Sequence, residues 1–201
     1  MIIKNIIFDL GGVLVGLDSE RCIDAFKKIG AYKVADYVEE HRTEDLFYDT
    51  EVGNISQHDF CNEVRRISEC SARDEDIVWA WNQLLTIIPD EKKRRLLELH
   101  DKGFRLFLLS NTNEMHWTYC AEELFPYKHW IAEDYFEGIY LSYELHKIKP
   151  QEDIFRTVLA DAGIKAEETL FIDDSKENCD AAHALGIHTF VNEDFDDWLK
   201  L

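Results

Sequence analysis

Ile2-Ile3-Lys4-Asn5-Ile6-Ile7-Phe8-Asp9-Leu10-Gly11-Gly12-Val13 is a β-rich apolar run that ends in one acid and two glycines. That pattern belongs to a buried parallel strand, and open α/β sheets bind ligands at the carboxyl ends of such strands. Asp9 arrives at that end. Taken alone, it has two readings open to it, a reactive group or a cap for the following turn.

Other strands end in the same manner. Phe104-Arg105-Leu106-Phe107-Leu108-Leu109 runs into Ser110-Asn111-Thr112-Asn113, and Thr169-Leu170-Phe171-Ile172 runs into Asp173-Asp174-Ser175. Gly138-Ile139-Tyr140-Leu141-Ser142 is followed closely by Lys147 and Lys149-Pro150, and His188-Thr189-Phe190-Val191 is a last strand before a short terminal helix. Helical spacing fills the gaps. Leu96, Leu97 and Leu99 precede Gly103, Ile154, Phe155, Val158 and Leu159 precede Gly163, and Asn178, Ala181, Ala182 and Leu185 precede Gly186. From about residue 89 onward this is the βαβ rhythm of a doubly wound, Rossmann-like parallel sheet.

Residues 17 to 88 break the rhythm. Cys22, Ile23, Phe26 and Ile29 share one helical face, Phe60, Val64 and Ile67 a second, and Ile77, Trp81, Leu84 and Leu85 a third, with no convincing strand among them. Ser56, with Asp59 three positions on, reads as a helix N-cap. So long a helical stretch is no simple crossover. We read residues 1 to 16 and 89 to 201 as an α/β core and residues 17 to 88 as an inserted all-helical cap seated over the strand ends.

Composition bounds the function. The formal net charge of −19 argues against nucleic acid or an anionic membrane as partner, because phosphate backbones need a basic stripe. No run is long and apolar enough to span a bilayer, and Met1 leads straight into a strand that keeps Lys4, so a cytoplasmic location is expected. The five cysteines show no C-x-x-C spacing and read as reduced thiols. An anionic substrate would need a local cation to offset this charge.

Laid parallel, the strands would gather Asp9, Asp173, Asp174, Ser110, Asn111 and Lys149 around one point. Three carboxylates there would repel one another, and an oxygen-seeking divalent cation resolves this. Mg²⁺ suits the set better than Ca²⁺, since it needs only one or two carboxylates and keeps sites for water and phosphate. A phosphate ester would meet the cation, Lys149 and the Ser110 hydroxyl, and Asp9 could attack phosphorus to form an aspartyl-phosphate. The plainer alternative makes Asp173 and Asp174 helix caps and Lys149 a solvated lysine.

Phe-Asp9-Leu-Gly-Gly-Val, Leu-Leu-Ser110-Asn111, Lys149-Pro150 and Phe-Ile-Asp173-Asp174, in that order, resemble the four motifs of the haloacid dehalogenase-like hydrolase superfamily, and the likeness covers the whole chain. Residues 109 to 113 and 139 to 145 are similar to the branch of bacterial α-glucose-1-phosphate phosphatases and the phosphatase domain of soluble epoxide hydrolases. The resemblance implies a Mg²⁺-dependent phosphatase with Asp9 as nucleophile, Asp9, the Gly11 carbonyl and Asp174 as metal ligands, and Ser110, Asn111 and Lys149 on the phosphoryl group. By the same resemblance Asp173 lies behind the ligands. The implied partner is a small phosphorylated metabolite, and the implied state is a monomer or weak homodimer.

One position departs from the pattern. Most phosphatases of the superfamily carry a second Asp two residues after the nucleophile, as general acid and then base; here it is Gly11. A missing proton donor costs about 10²- to 10⁴-fold in rate. This favours a sugar 1-phosphate, whose anomeric oxygen leaves more readily than an ordinary alkoxide. Asp18 is a possible substitute acid, though an acid there more often caps the first cap helix. Two rival readings remain, a haloacid-dehalogenase-type hydrolase, which binds no metal, and a catalytically weak protein that binds a phosphometabolite. In the cap, His41, Arg42 and His58 are polar candidates for specificity, while Phe47, Tyr48, Trp79 and Trp81 read as cap core.

Overall fold

The structure, a computed structural model, describes residues 2–40 and 46–201. Strands β1 (Asn5–Phe8), β2 (Arg105–Ser110), β3 (Gly138–Leu141), β4 (Thr169–Asp173) and β5 (His188–Val191) form one sheet in the order β3-β2-β1-β4-β5. Every neighbouring pair is parallel. The first strand is shorter than its apolar run, because Ile2 lies outside the sheet and is 74% exposed.

Alternation explains why these strands read as unbroken apolar runs. Ile6, Phe8, Leu106 and Leu108 point into the core on one face, and Ile7, Phe107 and Leu109 into the core on the other. Both faces are covered by helices, so neither parity is polar. Helix α6 (Asp90–Asp101) buries Leu96 and Leu99 on the first face, while α10 (Glu152–Asp161) and α11 (Lys176–Ala184) bury Phe155, Val158, Cys179 and Ala182 on the second. The sheet is doubly wound, as the sequence predicts.

Register sets the chemistry. Phe8 lies opposite both Leu108 and Ile172, so Asp9 and Asp173 leave the sheet side by side, with the Asp9 amide bonded to the Ile172 carbonyl at 2.9 Å. The chain winds from β1 out to β2 and β3, then crosses back to β4 on the other side of β1. Open sheets form a crevice at such a reversal.

Five helices lie between β1 and α6 among the described residues: α1 (Ser19–Lys28), α2 (Tyr32–Glu39), α3 (Leu46–Glu51), α4 (Gln57–Ser68) and α5 (Asp74–Asn82). Their apolar stripes meet in a separate core of Phe26, Val34, Phe60, Val64, Ile77 and Trp81, joined by Met115 of α7 (Glu114–Tyr119). Helix α4 begins at the capping box read from the sequence, Ser56 accepting from the Asp59 amide and Asp59 from the Ser56 amide. The two connecting segments pair antiparallel, through Gly16 N to Ile87 O at 3.1 Å, Thr86 N to Gly16 O at 2.8 Å and Asp18 N to Leu84 O at 2.8 Å.

The aromatic expectation needs one correction. Phe47 and Trp81 are buried and stacked at 4.9 Å, but Tyr48 and Trp79 are 41% and 43% exposed. Each sits one or two residues from its buried partner, which on a helix places it on a different face. Trp79 instead lies under the Lys28 ammonium at 5.1 Å from the ring centre. All five cysteines are unpaired. Among the described residues, no helix is long and apolar enough to cross a membrane.

Candidate active site

The turn after β1 is built to hold Asp9 still. The Leu10 carbonyl accepts from both Leu14 N and Val15 N, and Gly12 N donates to the Val15 carbonyl at 2.9 Å. From outside, Asn192 Nδ2 reaches the Gly12 carbonyl at 3.1 Å, and Trp198 Nε1 and Lys92 Nζ both donate to the Val13 carbonyl. Lys92 is fully buried, and desolvation lowers its pKa to about 8. In the sequence Lys92-Lys93 looks like a solvated pair on a helix, and nothing local signals its bracing role.

Lys149 stands at the centre of the site. Its ammonium is 2.9 Å from Asp9 Oδ1 and 2.6 Å from Asp173 Oδ2, and it donates to the Leu109 carbonyl at 3.1 Å. Asn111 holds the Lys149 backbone at two points, Nδ2 to the carbonyl and Oδ1 from the amide, both at 2.9 Å. The Asn111 side chain therefore positions Lys149. Ser110 is buried at the end of β2, its hydroxyl donating to the Asn111 carbonyl at 3.4 Å.

The paired acids of β4 divide. Asp173 is fully buried, accepting from Lys149, from Ser175 N at 2.8 Å and from Asn178 Nδ2 at 3.1 and 3.2 Å. Every one of these contacts orients the turn or the lysine. Asp174 is exposed, and its Oδ2 lies so near Gly12 that a Cβ there would come within 2.1 Å. Helix α11 is capped by neither acid, since Ser175 is its N-cap.

Carboxylate oxygens of Asp9, Asp173 and Asp174 lie within 4.8 Å of one another. Among the described residues this is the one such trio of His, Cys, Asp or Glu. Burial, reinforced by Asp173, holds the Asp9 carboxyl well above the usual range against the pull of Lys149. Although the residue is exposed, desolvation of the Asp174 carboxyl, followed by the charge of Asp173, raises its pKa. Desolvation opposes the Lys149 ammonium, yet Asp9 and Asp173 outweigh it and raise its pKa. One cation among three acids leaves the cluster short of positive charge, and an oxygen-ligated divalent cation fits that donor set.

The other predicted residues lie elsewhere or outside the described residues. Asp18 caps α1, its carboxylate accepting from Arg21 N at 3.0 Å. His58 is exposed and 3.3 Å from Asp74 on α5. His41 and Arg42 lie outside the described residues. Sequence reading passed over Glu51, whose carboxyl at the end of α3 shares the electrostatic field of Lys149. No local signal marks it.

Known proteins share this architecture. A family profile for haloacid dehalogenase-like hydrolase matches residues 3–186. A D-ribitol-5-phosphate phosphatase of Bacteroides thetaiotaomicron is 31% identical over 196 residues, covering 98% of this chain and 95% of the relative. A HAD family enzyme of the same species, solved in complex with magnesium and inorganic phosphate, is 44% identical with a TM-score of 0.88, over 94% of this chain and 93% of that one. A HAD-like family hydrolase from Porphyromonas gingivalis is 38% identical with a TM-score of 0.90, over 100% and 96%. With the four motif ends assembled on one crevice and the profile spanning nearly the whole length, the chain belongs to the haloacid dehalogenase-like hydrolases.

Proposed function

We propose that this hydrolase is a Mg²⁺-dependent phosphatase of small phosphorylated metabolites, a sugar or sugar-alcohol phosphate foremost, working through an aspartyl-phosphate on Asp9. The observation that carries the reading is the trio Asp9, Asp173 and Asp174 within 4.8 Å, with Lys149 buried between two of them. A metal-free dehalogenase has no need of such an acid cluster, and a simple binding module has no need of a buried nucleophile. The phosphatase named above and the magnesium and phosphate complex of the similar enzyme support the same reading.

Asp9, the Gly11 carbonyl and Asp174 would hold Mg²⁺, which when bound neutralises charge on the phosphoryl oxygens. Asp9 attacks phosphorus. Lys149 and the Ser110 hydroxyl take the charge that builds on the equatorial oxygens in the transition state. Asn111 and Asp173 keep Lys149 in place for that task. Helices α1 to α5, within residues 17 to 88, act as the cap that closes over the leaving group and excludes water.

Leaving-group chemistry sorts the substrates. Gly11 offers no proton, so on that position alone sugar 1-phosphates are favoured over primary phosphates. The curated relative, however, is named for a primary phosphate of a sugar alcohol, which makes that ester a second candidate. Phosphate release from sugar 1-phosphates, sugar 6-phosphates and D-ribitol 5-phosphate at equal concentration ranks them. We expect release from at least one class in Mg²⁺; turnover of a 2-haloacid under chelation, with no phosphate released from any ester, would contradict the reading.

A further inference from the structure

The cap meets the catalytic face through a polar clamp. Ser142 Oγ, at the start of α9 (Ser142–Leu145), donates to the Glu51 carbonyl at 2.6 Å and accepts from Thr112 N at 2.9 Å. Thr112 is two residues past Ser110, on the loop that carries Asn111. The next cap residue, Val52, offers its carbonyl to His146 Nδ1 at 2.8 Å. Gly53 follows with φ +72°, where an added Cβ would come within 2.1 Å of the Tyr143 carbonyl. Three successive residues are thus fixed against the core.

This clamp fixes the backbone of Glu51 and leaves its side chain free to act. Among the described residues, the Glu51 carboxylate has no hydrogen-bond or ion-pair partner, although the residue is half-buried. Desolvation pushes its pKa up to about 7, opposed by the Lys149 charge, so it lies within the field of the ammonium that binds Asp9. A carboxyl in that condition holds a proton near neutrality and can give it up. The alternative acid, Asp18, is engaged in capping α1.

We propose that Glu51 is the general acid and base that position 11 lacks, delivered from the cap to the leaving oxygen by the Ser142 clamp. The inference rests on the phosphatase reading. In the first step an Asp9 oxygen bonds to phosphorus and the ester P–O bond breaks. Its electron pair stays on the leaving oxygen, which takes the proton of Glu51 and departs as the alcohol. In the second step the Glu51 carboxylate takes a proton from water as the water oxygen bonds to phosphorus. The P–O bond to Asp9 breaks, its electron pair returns to the carboxylate, and phosphate leaves. Primary phosphates then become good substrates despite Gly11.

A single-turnover comparison of the full chain in Mg²⁺ tests this, using D-ribitol 5-phosphate and p-nitrophenyl phosphate. The first has a poor leaving group that needs a proton, while p-nitrophenolate leaves as a stable anion. Glu51→Gln should slow alcohol release from D-ribitol 5-phosphate by about 10²- to 10⁴-fold and cost far less in the p-nitrophenolate burst. Gly11→Asp in the Glu51→Gln background should restore the primary ester. Position 11 accepts the side chain, because its φ is not left-handed and an added Cβ meets nothing nearer than Leu17 Cδ1 at 3.4 Å. Unchanged rates in Glu51→Gln, or equal losses on both esters without rescue, would overturn the inference while leaving the phosphatase reading intact. Wild-type protein that releases phosphate from neither ester nor any of the sugar 1- and 6-phosphates would overturn both.

Discussion

At the scale of single residues, the site depends on a missing side chain as much as on the ones present. Gly12 has φ +68°, and a Cβ there would come within 2.1 Å of Asp174 Oδ2. Backbone strain and collision act together, since the left-handed region already disfavours any other residue. Gly12→Ala should displace Asp174 and weaken Mg²⁺ by about 10- to 100-fold, the scale on which neighbours of metal ligands act. Titrating activity with Mg²⁺ checks this, and an unchanged half-saturation would contradict it. The placement of Asp9, Ser110 and Asp174 at strand ends was legible because a strand's end is a local pattern, whereas Lys149 stands beyond α9 and was marked by its Lys-Pro pair rather than by a strand end. Asn111 was legible as a polar residue just past a strand end, but its grip on the Lys149 backbone was not, since that contact spans 38 positions. Glu51 was invisible for the same reason, its clamp to Ser142 spanning 91.

At the scale of elements, the joint between cap and core is a packed aromatic contact as well as a pair of linkers. Helix α7 of the core sends His116 against Trp81 of α5, with ring centres 4.5 Å apart, and His116 Nε2 donates to the Trp81 carbonyl at 3.1 Å. Burial lowers the pKa of His116 to about 4, the bond to Trp81 acting in the opposite sense. The unfolded chain, with an ordinary value near 6.5, therefore binds this proton between about pH 6.5 and pH 4 while the folded chain does not. Stability is fully present above pH 6.5 and falls as the solution is acidified through that window, by about 3 kcal/mol at 1.36 kcal/mol per pH decade. His116→Gln keeps an amide donor and should remove that part of the acid sensitivity. Urea unfolding of both proteins at several pH values measures the difference, and parallel curves would contradict the assignment. Helix faces within 17 to 88 were legible from apolar spacing. The exposure of Tyr48 and Trp79 was not, because aromatic content alone does not say which side of a helix faces a neighbour.

At the scale of the whole molecule, a chain of net charge −19 must draw in an anion. The crevice itself offers one buried cation, Lys149 between Asp9 and Asp173, so the rest of the positive charge that an anion needs must come from Mg²⁺. The parallel order β3-β2-β1-β4-β5 creates that crevice, and its alternation of strand and helix was legible because buried parallel strands read as apolar runs closed by turns. The bracing of the Asp9 loop belongs to this scale too, because Asn192 and Trp198 tie the chain's last segment, and Lys92 ties α6, to the turn after the first strand. The most direct measurement is phosphate release from the sugar phosphate panel by wild type and Asp9→Asn, each with Mg²⁺ and with chelator. The account predicts release by wild type in Mg²⁺ alone, with none from the variant and none under chelation. Release that survives chelation, or an Asp9→Asn variant as active as wild type, would contradict it.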